Sequence, residues 1–352
     1  MNINLDNASA TFILDEVIDA VNQSTKDFYA SSLNFNKLSD KTIIEIENCR
    51  RKIAELVNCN SEDIIFTSGG TEANNLAIIG AIRKNKIKTV ITSQIEHASV
   101  INPLKYLELR KEIKLLFLNL DKFANIQLSE LEQLLTDNQN SLVSLSHSNY
   151  LTGNLLQIKK VSRICKQYNS IFHSDIIQSM AYLKNDFESM GMDIATVSAH
   201  KFHGPKAVGF VYLKSGINIE NILFGEDNEY GIRPGTENIS GIVGMTKALE
   251  IMQLNIKANY SKCSEIKNIF IEKLNQLKIK FEVFGNTESA CLPNIINIKF
   301  SDESNSDLLL KKLAVNNIFA KSGNIPKLNI NNAIRFSFSF LNTKDEIQNF
   351  KF

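Results

Sequence analysis

Short apolar runs alternate with longer amphipathic stretches through the first two-thirds of the chain. The runs at 64–67, 89–93, 114–118, 142–146, 170–174, 194–198 and 208–213 have the length and make-up of strands. Between them, residues 43–57, 72–83, 99–111, 129–137 and 158–168 place apolar side chains every three or four positions, which predicts helices. Runs such as Asp63-Ile64-Ile65-Phe66-Thr67 show no polar alternation, so burial on both faces is expected. A mostly parallel α/β sheet covered by helices follows. Beyond about residue 240 the pattern changes to one long helical stretch, 242–277, and then to strands near 294–300 and 333–338. That predicts a second, smaller α+β unit. No repeat or low-complexity linker intervenes and the chain holds only five prolines, so a rigid joint between the lobes is expected.

With 352 residues, 43% of them hydrophobic, the chain can build one large domain or two cooperating ones. Thirty-nine Lys and Arg against thirty-eight Asp and Glu give a net charge of +1, which lacks the electrostatic footprint of a nucleic-acid binder or of a protein held on an anionic membrane. A small-molecule partner is expected instead. The first residues form neither a basic nor an apolar leader, and no stretch approaches the roughly 18 apolar residues of a membrane span, so a cytoplasmic protein is expected. Cys49, Cys59, Cys165, Cys263 and Cys291 are odd in number and never in Cys-x-x-Cys spacing, so they read as reduced thiols. His200 and His203 lack any neighbouring carboxylate pattern, and no metal site is expected.

Four stretches bring chemistry to the expected strand ends. In the first, the run 64–67 leads through Ser68-Gly69-Gly70-Thr71 into a helical stretch. Two glycines allow close backbone approach, and free N–H groups at a helix start cradle phosphate. An ordinary turn capped by Thr71 accounts for the same residues. In the second, Lys201 follows the strand end at Ser198 and precedes a Gly-Pro turn. A lysine at the C-terminal edge of an α/β sheet faces the ligand crevice and, when desolvated, reacts with carbonyls; taken singly it is a solvated surface charge. In the third, Asp175 ends the run 170–174, with Gln178 one helical turn on. A carboxylate there needs a partner, and a pyridinium nitrogen suits it. In the fourth, His97 closes Ser93-Gln94-Ile95-Glu96-His97 with an imidazole that can stack on a flat ring or bond within its own loop. Together they describe a pocket for pyridoxal 5'-phosphate.

These motifs, with Leu5-Asp6-Asn7-Ala8, Arg233-Pro234-Gly235-Thr236-Glu237-Asn238 and Ile334-Arg335-Phe336-Ser337, extend over nearly the whole chain. In them the chain resembles the cysteine desulfurase branch of the class V aminotransferases, which are fold type I pyridoxal phosphate enzymes. The resemblance implies a large domain over 14–248 around a seven-stranded, mostly parallel sheet, and a small domain over 249–352 joined by 1–13. It implies that Lys201 carries the cofactor as a Schiff base, that His97 stacks on the ring, that Asp175 pairs with the ring nitrogen and that Gln178 approaches the phenolic oxygen. Gly70, Thr71, Ser198 and His200 would hold the phosphate, with Thr236 supplied by the neighbouring subunit of a homodimer. Asn149 would contact cofactor and substrate. Asn7 and Arg335 would bind the substrate, Arg335 clamping the α-carboxylate in a bidentate fork. The implied substrate is a small amino acid, L-cysteine or a related one.

The resemblance also has gaps. Family members carry a nucleophilic cysteine shortly after a Ser-Gly pair; here Ser322-Gly323-Asn324-Ile325-Pro326 puts Pro326 at that place, and no cysteine lies between Ser322 and Ala333. Tyr150 and Leu151 replace the second Asn and the Glu of the family's Asn-Asn-Glu-x-Gly, and residues 31–40 lack its Asn-Pro-Ser-Ser and histidine. Cofactor chemistry is therefore expected, whereas a sulfur relay and a sulfur-accepting protein are not implied by the residues present. An aminotransferase or β-lyase and a non-catalytic regulator of a desulfurase are the other expectations. Retention of Lys201, His97, Asp175 and Arg335 speaks against the regulator.

Overall fold

Most of the apolar runs become strands nearly residue for residue. A computed structural model describes residues 2–34, 36–287, 290–301 and 305–350, so Met1 and Phe352, the outer limits of the expected small domain, lie outside the described residues. In chain order the first elements are β1 (Ile3–Asn4), α1 (Asp15–Asp27), α2 (Lys37–Val57), β2 (Ile64–Thr67), α3 (Gly70–Lys84), β3 (Thr89–Ser93), α4 (Ala98–Leu109), β4 (Lys114–Leu118) and α5 (Leu128–Asp137). There follow β5 (Leu142–Ser144), α6 (Ile158–Gln167), β6 (Ile171–Asp175), α7 (Phe187–Met190), β7 (Ile194–Ser198), β8 (Gly209–Leu213) and α8 (Ile239–Leu254). The remainder is α9 (Ile256–Gln276), β9 (Phe281–Phe284), β10 (Ile295–Phe300), α10 (Ser306–Val315), β11 (Ile318–Phe319), β12 (Lys321–Ser322), β13 (Ala333–Ser337) and α11 (Lys344–Gln348).

The central sheet has seven strands in the order β2-β8-β7-β6-β5-β3-β4. All neighbours run parallel except β8, which is antiparallel to both β2 and β7. Strands β2, β5, β7 and β8 are buried along their whole length, in keeping with their mostly apolar sequence. Because β5, β6, β7 and β3 run parallel, their C-terminal ends open on one edge, where an α/β sheet binds its ligand.

The second unit is a four-stranded antiparallel sheet, β12-β13-β10-β9, backed by α9. Phe270 of α9 stacks at 4.7 Å on Phe336 and 5.4 Å on Phe338, three aromatic side chains whose burial is worth about 1.5–3 kcal/mol each. Strand β1 pairs in parallel with β11, so Ile3 and Leu5 belong to this core and not to the larger one.

Several elements differ from the sequence reading. Helix α2 starts at Lys37 and not at 43, because Asn36 accepts from the N–H groups of Leu38 and Ser39 and caps it there. The long stretch 242–277 is two helices meeting at Asn255, which has φ −107° and ψ 12°. Helices α1 and α10 and strand β9 carry too few buried apolar residues to stand out by periodicity. Among the described residues no helix is long and apolar enough to cross a membrane.

Candidate active site

Three element ends converge. Strand β7 delivers Ser198, His200 and Lys201, β6 delivers Asp175, and α3 begins at Gly70 beside them. Gly69 precedes the helix at φ +131°, a left-handed conformation that a side chain would strain. Gly69 offers no side chain to cap α3, so the N–H groups of Gly70, Thr71 and Glu72, which precede the first helical bond from Ala73 to Gly69, are left for a ligand. Thr71 therefore sits inside the helix and does not cap it. The convergence encloses a cavity of about 310 Å³ lined by Gly70, Thr71, His97, Asp175, Gln178, Ser198, His200, Lys201 and Arg335, all expected from the sequence.

Lys201 Nζ donates to the carbonyls of Ala8 and Ser9, each at 2.7 Å. Burial, helped by the charge of Arg335, pushes its pKa down to about 8. Asp175 is 8% exposed and accepts from Asn74 Nδ2 at 2.9 Å and from the Ile177 N–H at 3.0 Å. Burial raises its pKa, and Asn74 opposes that rise, so the site favours a cationic partner for this carboxylate.

Asn74 is the hub of a network invisible in the sequence pattern. Its Nδ2 also donates to Ser99 Oγ at 2.8 Å, and its Oδ1 accepts from Thr196 Oγ1 at 2.7 Å. Ser99 Oγ, accepting from Asn74, turns its own proton to His97 Nδ1 at 2.7 Å, and the Ser99 N–H donates to the same nitrogen. His97 is thereby held neutral with its proton on Nε2. Partial desolvation and the charges of Lys201 and Lys321 keep its proton affinity low against the pull of Asp175. Ser198 Oγ and His200 Nδ1 lie 3.0 Å apart, and burial with the charges of Lys201 and Lys206 lowers His200 to about 4.

Of the other expected residues, Asn149, Asn7 and Thr236 lie outside the cavity, and Gln178 and Arg335 line it with their polar atoms engaged by the protein. Asn149 spends its amide on the carbonyl of Ile95 and on the turn at Leu151 and Thr152, while its neighbours Ser148 and Tyr150 line the cavity in its place. Asn7 donates to the carbonyls of Asn4 and Ser337 and so fastens the N-terminal segment to β13. Thr236 lies in a separate depression with Phe66, Glu229 and Arg233. Gln178 lines the cavity but donates to the carbonyl of Ala8. Arg335 is 1% exposed and its fork is already engaged: Nη2 bonds to Asp6 Oδ1 and Ser9 Oγ, and Nη1 to the carbonyl of Tyr150. Sequence reasoning missed Asn74, which stands behind the lining, and the polar lining residues Ser9, Ser99, Ser146, Ser148, Tyr150 and Lys321. None of the five cysteines lines the cavity, and burial pushes the thiols of Cys49, Cys59 and Cys263 up to about 12.

The residues present fit pyridoxal phosphate. The uncapped start of α3 suits its phosphate, Lys201 its aldehyde and Asp175 its ring nitrogen, all on one cavity at the strand ends. Fold and site define a fold type I pyridoxal phosphate enzyme. Sequence comparison agrees: the chain belongs to the family described as aminotransferase class-V, whose profile matches residues 3–350. Cysteine desulfurase IscS of Dictyoglomus turgidum is 31% identical over 362 residues, covering 97% of this chain and 91% of that protein. Cysteine desulfurase IscS 1 of Archaeoglobus fulgidus is 34% identical over 298 residues, covering 84% and 77%. A NifS-like protein of known structure superimposes with a TM-score of 0.93 at 27% identity, covering 99% of this chain and 96% of that one. The NifS-like protein of Rickettsia africae gives 0.89 at 27% identity, covering 99% and 97%. Within the family the chain falls in the cysteine desulfurase branch and is a pyridoxal phosphate-dependent enzyme.

Proposed function

We propose that the enzyme acts on a small amino acid, L-cysteine or a close analogue, with Lys201 as its reactive amine. The relatives named above are cysteine desulfurases. The observation that carries the reading is Lys201 Nζ, held by two backbone carbonyls with a pKa near 8, in the same cavity as Asp175 and the uncapped start of α3. When bound, pyridoxal phosphate supplies an electrophilic carbonyl carbon and an electron-withdrawing ring. Lys201 exchanges its proton near neutral pH and so can take one from the substrate's α-carbon. Asp175, steadied by Asn74, holds a proton at the ring nitrogen. Gly70, Thr71, Ser198 and His200 would bind the phosphate, and neutral His97 would lie against the ring face.

No cysteine is placed to receive sulfur, so we propose that an external thiol does. Its sulfur bonds to the substrate sulfur as the carbon–sulfur bond breaks, giving alanine and a persulfide of that thiol. A reducing, cytoplasmic setting suits five free cysteines, and a homodimer suits Thr236, which stands outside its own chain's cavity.

Borohydride reduction of the purified yellow protein followed by peptide mapping should place the pyridoxyl group on Lys201, and Lys201→Ala should carry none. Label on another lysine would overturn the assignment. Turnover of L-cysteine should need added thiol and survive Cys263→Ser and Cys291→Ser; loss of turnover in either would mean that a cysteine of this chain relays the sulfur.

A further inference from the structure

On the reading above, Lys201 serves the cofactor's aldehyde, His97 the ring face and Arg335, as the resemblance implies, the α-carboxylate. No residue is yet assigned to the substrate's side chain. Tyr150 lines the same cavity and adjoins two of those three groups. Its ring centroid lies 5.5 Å from that of His97, edge to face at 79°, and its carbonyl accepts from Arg335 Nη1 at 3.0 Å. An amino acid fastened to the ring at one end and to Arg335 at the other turns its remaining substituent toward the residue that stands between them.

The backbone of Tyr150 is held in place. Asn149 Oδ1 accepts from the N–H groups of Leu151 and Thr152 at 2.9 and 3.1 Å, and the Gly153 N–H closes the turn on the Asn149 carbonyl at 2.8 Å. Leu151 packs on Ile95, Ala124, Ile325 and Ile330, so the turn cannot swing outward without exposing that cluster. The phenol hydroxyl, in contrast, is uncommitted. Other cavity hydroxyls are spent: Ser9 on Asp6, Ser99 on His97 and Ser148 on the carbonyl of Gly153. That of Tyr150 has no partner among the described residues. Burial raises its pKa, so it keeps its proton and acts as a donor at neutral pH. Ser146 also has an open hydroxyl, but among the described residues no bond joins it to His97 or Arg335.

We propose that Tyr150 receives the substrate's side chain: its hydroxyl donates to the heteroatom on the β-carbon, and its ring limits how long that side chain can be. The class of substrate that fits is an amino acid with one polar atom on its β-carbon, cysteine-like or serine-like and not methionine-like. Tyr150 stands where the resemblance expects an asparagine, which has no ring to set such a limit, so the contact is particular to this chain.

The inference rests on the amino-acid reading above, and one set of titrations separates the two. In the holoenzyme the cofactor absorption band is titrated with L-serine, with L-2-aminobutyrate, which carries a methyl group in place of the hydroxyl, with L-alanine and with L-methionine. The wild type should bind L-serine more tightly than L-2-aminobutyrate. Tyr150→Phe keeps the ring and loses the hydroxyl, so that advantage should shrink by about three- to tenfold, the worth of one neutral hydrogen bond. Tyr150→Ala removes the limit on length, and its affinity for L-methionine relative to L-alanine should exceed that of the wild type by about tenfold or more. An L-serine advantage that survives Tyr150→Phe, or an L-methionine to L-alanine ratio unchanged in Tyr150→Ala, would overturn the proposal. So would an equal loss for all four ligands, the mark of a residue that only supports the fold. A wild-type band that answers to none of the four would overturn the amino-acid reading itself, and the role of Tyr150 with it.

Discussion

Asn74 ties together groups contributed by β6, β7 and α4, and nothing in its sequence context marks it: an asparagine in the first turns of a helix reads as a neutral choice. Its side chain satisfies Asp175, Ser99 and Thr196 at once, all buried. Asn74→Ala strands those groups and should cost about 1–3 kcal/mol in urea unfolding, with the His97 tautomer no longer fixed. By contrast, Lys201, Asp175 and His97 could be read from the sequence because each closes an apolar run at the edge where ligands bind. The lowered pKa of Lys201 makes a kinetic prediction. Only the free amine attacks a carbonyl, so the rate of cofactor loading into apoprotein should climb with pH and level off above about 8. An inflection near the ordinary lysine value of about 10.4 would show that the desolvation is not felt. Glu96 is a second perturbed group. Burial raises it from 4.5 to about 7, while Ser93 Oγ and the Ser146 N–H bond to it at 2.6 and 3.0 Å. The folded chain holds this proton more tightly than the unfolded chain does, so stability is lost as the pH rises from about 4.5 to about 7 and is level outside that window. Glu96→Gln does not titrate, and its stability relative to the wild type should rise across the same window. A difference in urea midpoint that stays flat with pH would show Glu96 to be ionised throughout.

At the scale of elements, the phosphate turn is shaped by a neighbouring strand. A Cβ on Gly209, the first residue of β8, would stand 2.3 Å from the carbonyl oxygen of Val197 and 3.0 Å from the Cα of Gly69. Both are backbone atoms and cannot swing aside, so Gly209→Ala must part β8 from β7 or push the Gly69 turn. The variant should lose about 1–3 kcal/mol in stability, and pyridoxal phosphate should dissociate from it faster. Wild-type values for both would mean that the sheet absorbs a methyl group there. The glycines at 69 and 70 were readable as a cradle, but Gly209 was not, since its constraint comes from a strand far away in sequence. The same distinction explains the long helix. Apolar spacing runs through Leu249, Met252 and Ile256, so the periodicity alone cannot show the change of direction at Asn255. We propose that the division between 14–248 and 249–352 falls close to this break, since α8 packs with α1 and α2 while α9 packs under the small sheet.

For the whole molecule, the open question is where Thr236 acts. It sits on a loop between β8 and α8 whose root is held rigidly: Glu229 accepts from Arg50 Nη1 and Nη2 at 2.8 and 2.9 Å and from the Phe66 N–H at 2.7 Å, all buried. Removing one partner of such a pair leaves a buried charge unmatched, so the core anchors the loop firmly at Glu229. Beyond that root the surface turns apolar, with Phe224 91% exposed and Tyr230 54% exposed. A second copy of the chain would cover such side chains and receive Thr236 at its phosphate cradle. A mixing experiment decides this at the level of the active site. Lys201→Ala and Thr236→Asp should each be inactive alone. If the site is shared, unfolding and refolding them together in equal amounts gives mixed dimers in which one of the two sites has an intact Lys201 from one chain and an intact Thr236 from the other. Random pairing makes mixed dimers half of the population, so activity should return to roughly a quarter of the wild type per site. No recovery, with mixed dimers demonstrated by mass spectrometry, would mean that Thr236 serves its own chain or none.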